Sequence, residues 1–479
     1  MMNLRCISAA ALLLVGCSDT PEVIFASTSV PGETSGSKSD EGTWATSAGT
    51  TWTDARLRER LSQFNVTSVD PGNVLPMADP QVILGQMLFF EKALSGNGDI
   101  SCATCHHPSL GTSDGLALPI GVGGSGLGPQ RELGDERGFI PRNSPDIWNR
   151  GSTLWQTMFW DGRVHGKPGY FGSPAGLKLP EGLETVLSVQ AMFPVTSAEE
   201  MRGHHGENEI ADMETLPEVW AALTERILSY EGYPSLFRSA YPDVEPEDYG
   251  FQHIANAIAA FEVAAFTKLD TPFDRYVAGD DHALNAQEKR GAELFFGKAS
   301  CGNCHNGPLL TDQGNHVLAA PQLGPGKGDD APYDMGRFLE TGDDIDRYAF
   351  RTPPLRNVEL TAPYTHSGAY RTLSDVIRHH LDPRGMIESY VAEDHVQGGA
   401  ADTLLSDEVF LHECTSRVSP LVAPEAPISE QEIEDLVAFL LSLTDPSAYD
   451  MSDLVPGGLI SGLEVDRARP VRDEQIELM

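Results

Sequence analysis

The pentapeptide CATCH at residues 102–106 recurs as CGNCH at residues 301–305, and this repeat decides how the rest of the chain is read. In C-x-x-C-H the two thiols add across the vinyl groups of a haem, and the histidine that follows is held as the proximal iron ligand. Cys102, Cys105, Cys301 and Cys304 are therefore expected to carry two covalently bound haem c groups, with His106 and His305 on the irons. Two other chemistries use paired cysteines. A dithiol redox pair has no need of the adjacent histidine. A four-ligand zinc site would have to gather its halves from distant parts of the chain.

The flanks of the two motifs also match. ILGQMLFFEKALSGNGDISCATCHHP (83–108) parallels KRGAELFFGKASCGNCHNGP (289–308), with Leu88-Phe89-Phe90 answering Leu294-Phe295-Phe296. A short amphipathic helix is expected to lead into each motif. Near the other end, SEQEIEDLVAFLLSLTD (429–445) places Ile433, Leu436, Val437, Leu440 and Leu441 at helical spacing, with Ser429 and Glu432 able to form a capping box. YGFQHIANAIAAFEVAAFTK (249–268) is a second strongly helical run. Strand signals are sparse and Gly/Pro-rich loops are many. The fold class is mainly α, with two tandem cytochrome c-like domains, 55–275 and 276–445, each holding one covalently attached haem.

The 479 residues carry a formal charge of −37, which disfavours nucleic acid and anionic membrane surfaces as partners. It favours encounter with a basic protein. The N-terminus, MMNLRCISAAALLLVGCSDT, has one Arg5 before an apolar run, Ala9 to Val15, that is too short to span a bilayer. LVGC at 14–17 resembles a bacterial lipobox. Residues 1–17 thus read as a lipoprotein signal peptide, with Cys17 as the lipid anchor and Ser18 pointing to the outer membrane of the periplasm. Residues 18–54, rich in Ser, Thr and Gly, read as a flexible linker. Cys414 is left as a lone thiol, and 446–479 as a tail beyond the last cytochrome helix.

PRN (141–143), FWDGR (159–163) and PLRNVELTAPYTHSG (354–368), set around two haem motifs, resemble the bacterial di-haem cytochrome c peroxidase/MauG family from about residue 74 to 445. The resemblance implies two cytochrome c-like domains with a calcium ion between them, a peroxide-reacting first haem and an electron-transfer second haem. It implies that Asn143, with the carbonyls of Thr361 and Pro363, holds the calcium, a hard cation suited by oxygen ligands. Trp160 in FWDGR corresponds to the tryptophan between the haems. VQAMFPVTSAEEM (189–201) resembles the stretch over the peroxide haem, which puts Gln190 near the pocket and makes Glu200 the acid–base, with Glu199 as the neighbouring alternative.

Two departures from the family pattern set the expected subtype. The loop PSLGTSDGLALPIGVGGSGLGPQRELGDERGFIPRN (108–143) holds no histidine or methionine to block the first haem. His107 follows the proximal ligand too closely to reach the opposite face, and His165, His204 and His205 are the remote alternatives. In RTLSDVIRHHLDP (371–383), the family's second-haem ligand follows the threonine of TAPY by 19 residues, which lands on His380. A bis-histidine second haem, His305/His380, is expected, with Met386 and Tyr390 in reserve and His379 a solvated helix-end residue. An imidazole in place of a methionine lowers the haem potential.

The expected function is a peroxidase-type oxidoreductase that reduces hydrogen peroxide at the open first haem while the second shares or relays oxidising equivalents. Its partner would be a small redox protein donor, a cytochrome c or cupredoxin. A MauG-like enzyme that oxidises Trp or Tyr of a protein substrate is the first alternative, and a non-enzymatic di-haem electron carrier the second. The insertions at 164–186 and 395–425 have no role legible in the sequence.

Overall fold

The computed structural model describes residues 43–45 and 51–468. The expected signal peptide with Cys17, most of the expected 18–54 linker, and residues 469–479 lie outside the described residues. The described chain is mainly helical, with strands of two to four residues.

Two helix pairs organise the two largest cores. Pro80–Phe89 starts on an Asp79 cap whose Oδ1 accepts from Gln81 N–H at 2.9 Å, with Pro80 in the first turn where its missing N–H costs nothing. It crosses Phe251–Phe266. Ala286–Phe295 starts on an Asn285–Glu288 capping box and crosses Glu430–Leu441, which begins on the expected Ser429–Glu432 box. The crossings are copies of each other. A Cβ on Gly85 would overlap the carbonyl oxygen of Ala257, and one on Gly291 would overlap that of Asp435. Beside each glycine contact, a pair of phenylalanines closes on a third. Phe89 and Phe90 lie 5.3 and 6.4 Å from Phe261, and Phe295 and Phe296 lie 5.1 and 6.0 Å from Phe439, ring centre to ring centre. The repeat in the sequence is a repeat in packing.

The cores do not divide where a linear reading divides the chain. Leu57, Leu61 and Val66, from the helix Asp54–Gln63 and just after it, pack into the second core, where Lys289 Nζ pairs with Asp54 at 2.7 Å. In return Leu454, Val455, Ile460 and Val465 pack on the first core. Gln86 donates to the carbonyl of Leu454 at 2.8 Å, and Lys92 pairs with Asp466 at 2.6 Å. The tail therefore packs back, as far as it is described. Each core is closed by the chain end remote from it.

The end of the 18–54 stretch carries two short strands. Thr43–Ala45 pairs antiparallel with Thr51–Thr53, because a Thr/Trp-rich run has strong strand preference despite its polar flanks. The 164–186 insertion contributes Val164–Lys167 and Tyr170–Gly172, which form a three-stranded antiparallel sheet with Thr157–Met158. This sheet brackets the FWDGR segment. Among the described residues no helix is long and apolar enough to cross a membrane.

Replacing Gly85 or Gly291 by valine should destabilise the haem-loaded protein by about 1–3 kcal/mol through overpacking. Gly399→Ala, where a Cβ meets nothing within 4 Å, should stay within about 0.5 kcal/mol in the same urea titration.

Candidate active site

Each C-x-x-C-H motif opens into its own cavity. Cys102, Cys105 and His106 line the first, and Cys301, Cys304 and His305 line the second. No disulfide joins these four cysteines in the described residues. Burial, with the charge of Glu262, pushes the Cys102 thiol up to about 12, and burial does the same for Cys301. A redox dithiol needs the opposite shift.

The two histidines are oriented alike. His106 Nδ1 lies 3.2 Å from the Thr112 carbonyl and His305 Nδ1 lies 3.2 Å from that of Leu310. A carbonyl can only accept, so Nδ1 carries the proton in each ring and Nε2 is left with its lone pair for a metal. Burial lowers both rings to about 4, and His380 adds to the effect on His305. Neutral imidazoles beside paired thiols are what a covalently held haem requires. In the first cavity the buried Nη1 of Arg150 and Oε2 of Glu262 have no partner in the protein, so its wall offers polar atoms to a bound group. Cys304, Asp312 and His316 also come within 4.8 Å of one another, but the thiol belongs to the haem motif.

The first cavity gathers Trp160, Gln190 and Glu200 in one lining. Ser197 starts the turn Ala198–Arg202 by accepting from Glu200 N–H at 3.4 Å, and this turn sends Glu200 inward while Glu199 is exposed. Burial raises the Glu200 pKa, against the opposing charges of Arg163 and Lys327, while Glu199 adds to the rise. His106 is the only histidine in that lining. His107 is buried but turned away, its Nε2 3.2 Å from the Asp466 carbonyl in the tail. His204 and His205 are exposed, and His165 lies outside the cavity, against Gly172. Met158 and Met201 are buried wall residues.

In the second cavity His380 joins His305, whereas Met386 and Tyr390 pack in a separate cluster with Tyr370 outside the lining. His379 corrects the expectation of a solvated residue. It is 0 % exposed, with Nε2 2.8 Å from the Leu318 carbonyl and Nδ1 2.9 Å from the Tyr370 hydroxyl. The helical step that turns His380 to the cavity turns His379 into the neighbouring core. Nε2–H donates to Leu318, so Nδ1 accepts from Tyr370, and burial, with His380, lowers the ring to about 3. Cys414 is buried and lines the second cavity.

Trp160 lines both cavities, and its Nε1–H donates to the Asn143 carbonyl at 2.9 Å. Asn143, Thr361 and Pro363 come together on the wall of the second cavity. The Asn143 amide nitrogen donates to Leu116 at 2.9 Å, which directs Oδ1 the other way, and an amide oxygen with carbonyls suits calcium.

Sequence reasoning missed the ionic frame around Trp160. Arg142 of PRN makes paired bonds to Asp334 at 2.7 and 2.8 Å and reaches Asp161 of FWDGR. All three are buried. Lys327, on a loop remote in sequence, also reaches the first cavity, where burial and then Arg163 and Arg142 lower it to about 8. Nothing local marks Lys327 as a cavity residue. The acidic and basic residues of PRN, FWDGR and PYDMGR were a signal for the frame, since buried charges have to be paired.

A family model described as di-haem cytochrome c peroxidase matches residues 79–282. The methylamine utilization protein MauG of Methylorubrum extorquens is 32% identical over 381 residues, covering 79% of this chain and 82% of that protein. Cytochrome c551 peroxidase of Pseudomonas aeruginosa is 32% identical over 361 residues, covering 74% and 84%. Among solved structures, a MauG-like protein associated with microbial copper homeostasis is 26% identical with a TM-score of 0.57, covering 81% of this chain and 97% of that one. The chain belongs to the di-haem cytochrome c peroxidase/MauG family. It is an oxidoreductase enzyme of a kind whose relatives include both peroxidases and MauG proteins, and the family implies haem c as its cofactor.

Burial alone would raise Asp161 and Asp334, yet Arg142 holds both below the usual aspartate range. Their contribution to stability is full above the unfolded value of about 4 and is lost as the pH falls below it. Arg142→Met should cost about 3–5 kcal/mol at neutral pH by leaving two carboxylates facing one another. Its urea midpoint should also fall less steeply on acidification than that of the unaltered protein.

Proposed function

We propose that this enzyme reduces hydrogen peroxide in the first cavity and that Trp160 links that cavity to a bis-histidine haem in the second. The observation that carries the proposal is the joint lining of the first cavity by Glu200, Gln190 and Trp160 together with a single histidine, His106. Cys102, Cys105 and His106 would hold the first haem, and Cys301, Cys304, His305 and His380 the second. When bound, haem iron supplies the centre at which peroxide is reduced.

Glu200 does the proton work. Its half-buried carboxylate, turned into the first cavity, would take a proton from one peroxide oxygen and return it to the other, so that water rather than hydroxide departs. A carboxyl raised by burial, with Arg163 and Lys327 opposing the rise, lies closer to the range where it can both accept and donate. Gln190, in the same lining, would supply an amide to orient the peroxide. A pure electron carrier would have no use for this constellation.

Replacement of holes by electrons from a small redox protein, a cytochrome c or cupredoxin, is the peroxidase version. The chain's charge of −37 suits a basic donor. A MauG-like version, oxidising a protein's Trp or Tyr, is favoured by His380 in the place where the peroxidases carry methionine. Calcium at Asn143, Thr361 and Pro363 would tie PRN to TAPY beside Trp160. A periplasmic location with Cys17 as a lipid anchor completes the reading.

Electron paramagnetic resonance of the fully oxidised, calcium-replete protein tests it. One high-spin and one low-spin ferric signal should be present at rest, and both should vanish on one equivalent of peroxide without reductant. Two low-spin signals unmoved by peroxide would sink the open-haem reading. In His380→Ala the low-spin signal should turn high-spin, which His379→Ala should not cause. Glu200→Gln should slow the reaction with peroxide by about 10²–10⁴-fold with both resting signals intact.

A further inference from the structure

The second cavity has a tyrosine in its wall that nothing in the proposed chemistry uses. Tyr348 is 3 % exposed and lines that cavity with His305, His380 and Cys414. Its backbone is in the left-handed region, φ 60°, a conformation that a bulky residue adopts only when its surroundings impose it. Its N–H is fixed to the Met335 carbonyl at 3.0 Å, and its ring packs edge-on against Phe410 at 5.6 Å. The hydroxyl donates to Glu413 Oε2 at 3.2 Å.

Glu413 is held for that contact. Its other oxygen, Oε1, lies 3.5 Å from both Arg347 Nη1 and Arg417 Nη2, which turns Oε2 to the phenol. The Glu413 side chain is 30 % exposed, so a proton arriving there can leave to water. It sits on the helix Glu408–Ser416 of the 395–425 insertion, and the next residue, Cys414, lines the cavity. This helix therefore has one side on the cavity and the other on solvent. Tyr364 also lines the cavity, but no carboxylate is hydrogen-bonded to its hydroxyl among the described residues.

We infer that Tyr348 is a redox-active tyrosine that, with Glu413 as proton acceptor, carries oxidising equivalents from the second cavity to the protein surface. The inference rests on the peroxide reaction proposed above. In the step, the Tyr348 O–H bond breaks. Its electron goes to an oxidising equivalent in the second cavity and its proton goes to Glu413 Oε2, leaving a neutral phenoxyl radical and a protonated carboxyl. One hydrogen peroxide takes up two electrons and two protons to become two waters, so each turnover supplies two such equivalents. A one-electron donor at the surface refills the hole, and Glu413 gives the proton back. Burial, with the charge of Glu413, holds the phenol far above its ordinary pKa, so it cannot ionise first. The electron has to leave together with a proton, and the hydrogen-bonded carboxylate is its acceptor.

The test uses the full-length, haem-loaded protein with one equivalent of hydrogen peroxide and no reductant, frozen at intervals and read by electron paramagnetic resonance. A tyrosyl signal that collapses in width with ring-deuterated tyrosine should follow the loss of the ferric haem signals. It should be absent in Tyr348→Phe and kept in Tyr364→Phe, and it should form at least about tenfold more slowly in Glu413→Gln. Loss of the haem signals with no tyrosyl radical, or the same radical in Tyr348→Phe, overturns this inference alone. A signal abolished by Cys414→Ser but not by Tyr348→Phe assigns the hole to the thiol and overturns it too. Haem signals unmoved by peroxide overturn the peroxide reading and this inference with it.

Discussion

Arg142 lies between Asp161 and Asp334, all three buried, and the rest of the site is built around that ion cluster. The three residues come from three loops remote in sequence. A guanidinium can satisfy two carboxylates at once because its donors fan out in a fixed plane. Asp161 follows Trp160 directly, and Asn143, which receives the indole N–H, follows Arg142 directly. Holding the charges therefore holds the tryptophan between the cavities. A buried charge cluster of this kind contributes little net stability over an apolar replacement, but it admits few arrangements of its loops.

Around this centre the chain repeats one packing solution. In each half, a glycine lets two helices touch backbone to backbone, and three phenylalanines seal the crossing. The C-x-x-C-H motifs follow the crossings along the chain, Cys102 after the helix that ends at Phe89 and Cys301 after the helix that ends at Phe295. The chain ends then bind the halves together. The tail fixes His107 through the Asp466 carbonyl, and so keeps the histidine next to His106 out of the first cavity.

The two cavities differ in the polarity of what faces them. The first has Glu200 set among Arg163 and Lys327, a wall suited to moving protons. The second has His305 and His380 with a largely apolar and aromatic wall, including Tyr348 and Phe350, suited to moving electrons. One carboxylate outside the second cavity, Glu413, is placed to take the proton that an electron leaves behind.

Much of this could be read along the chain. Covalent attachment needs two thiols and a histidine in fixed local spacing, so Cys102, Cys105, His106 and their second copy are legible without any fold. Helix starts at Ser429 and Asn285 depend on side chains three residues apart, and counting from Thr361 reached the histidine that faces the second cavity. What was not legible depends on contacts between distant segments. Adjacent residues His379 and His380 have the same chemistry, and only the loop at Leu318 and the ring of Tyr370 decide which is buried and which faces the cavity. Lys327 at the first cavity, Trp160 shared by both, the Thr43–Ala45 strand inside an apparent linker, and the tail closing the opposite core are of the same kind. Bonds and caps are local and leave a pattern in the sequence. Burial belongs to the surface that a residue meets, and that surface exists only once the chain has folded.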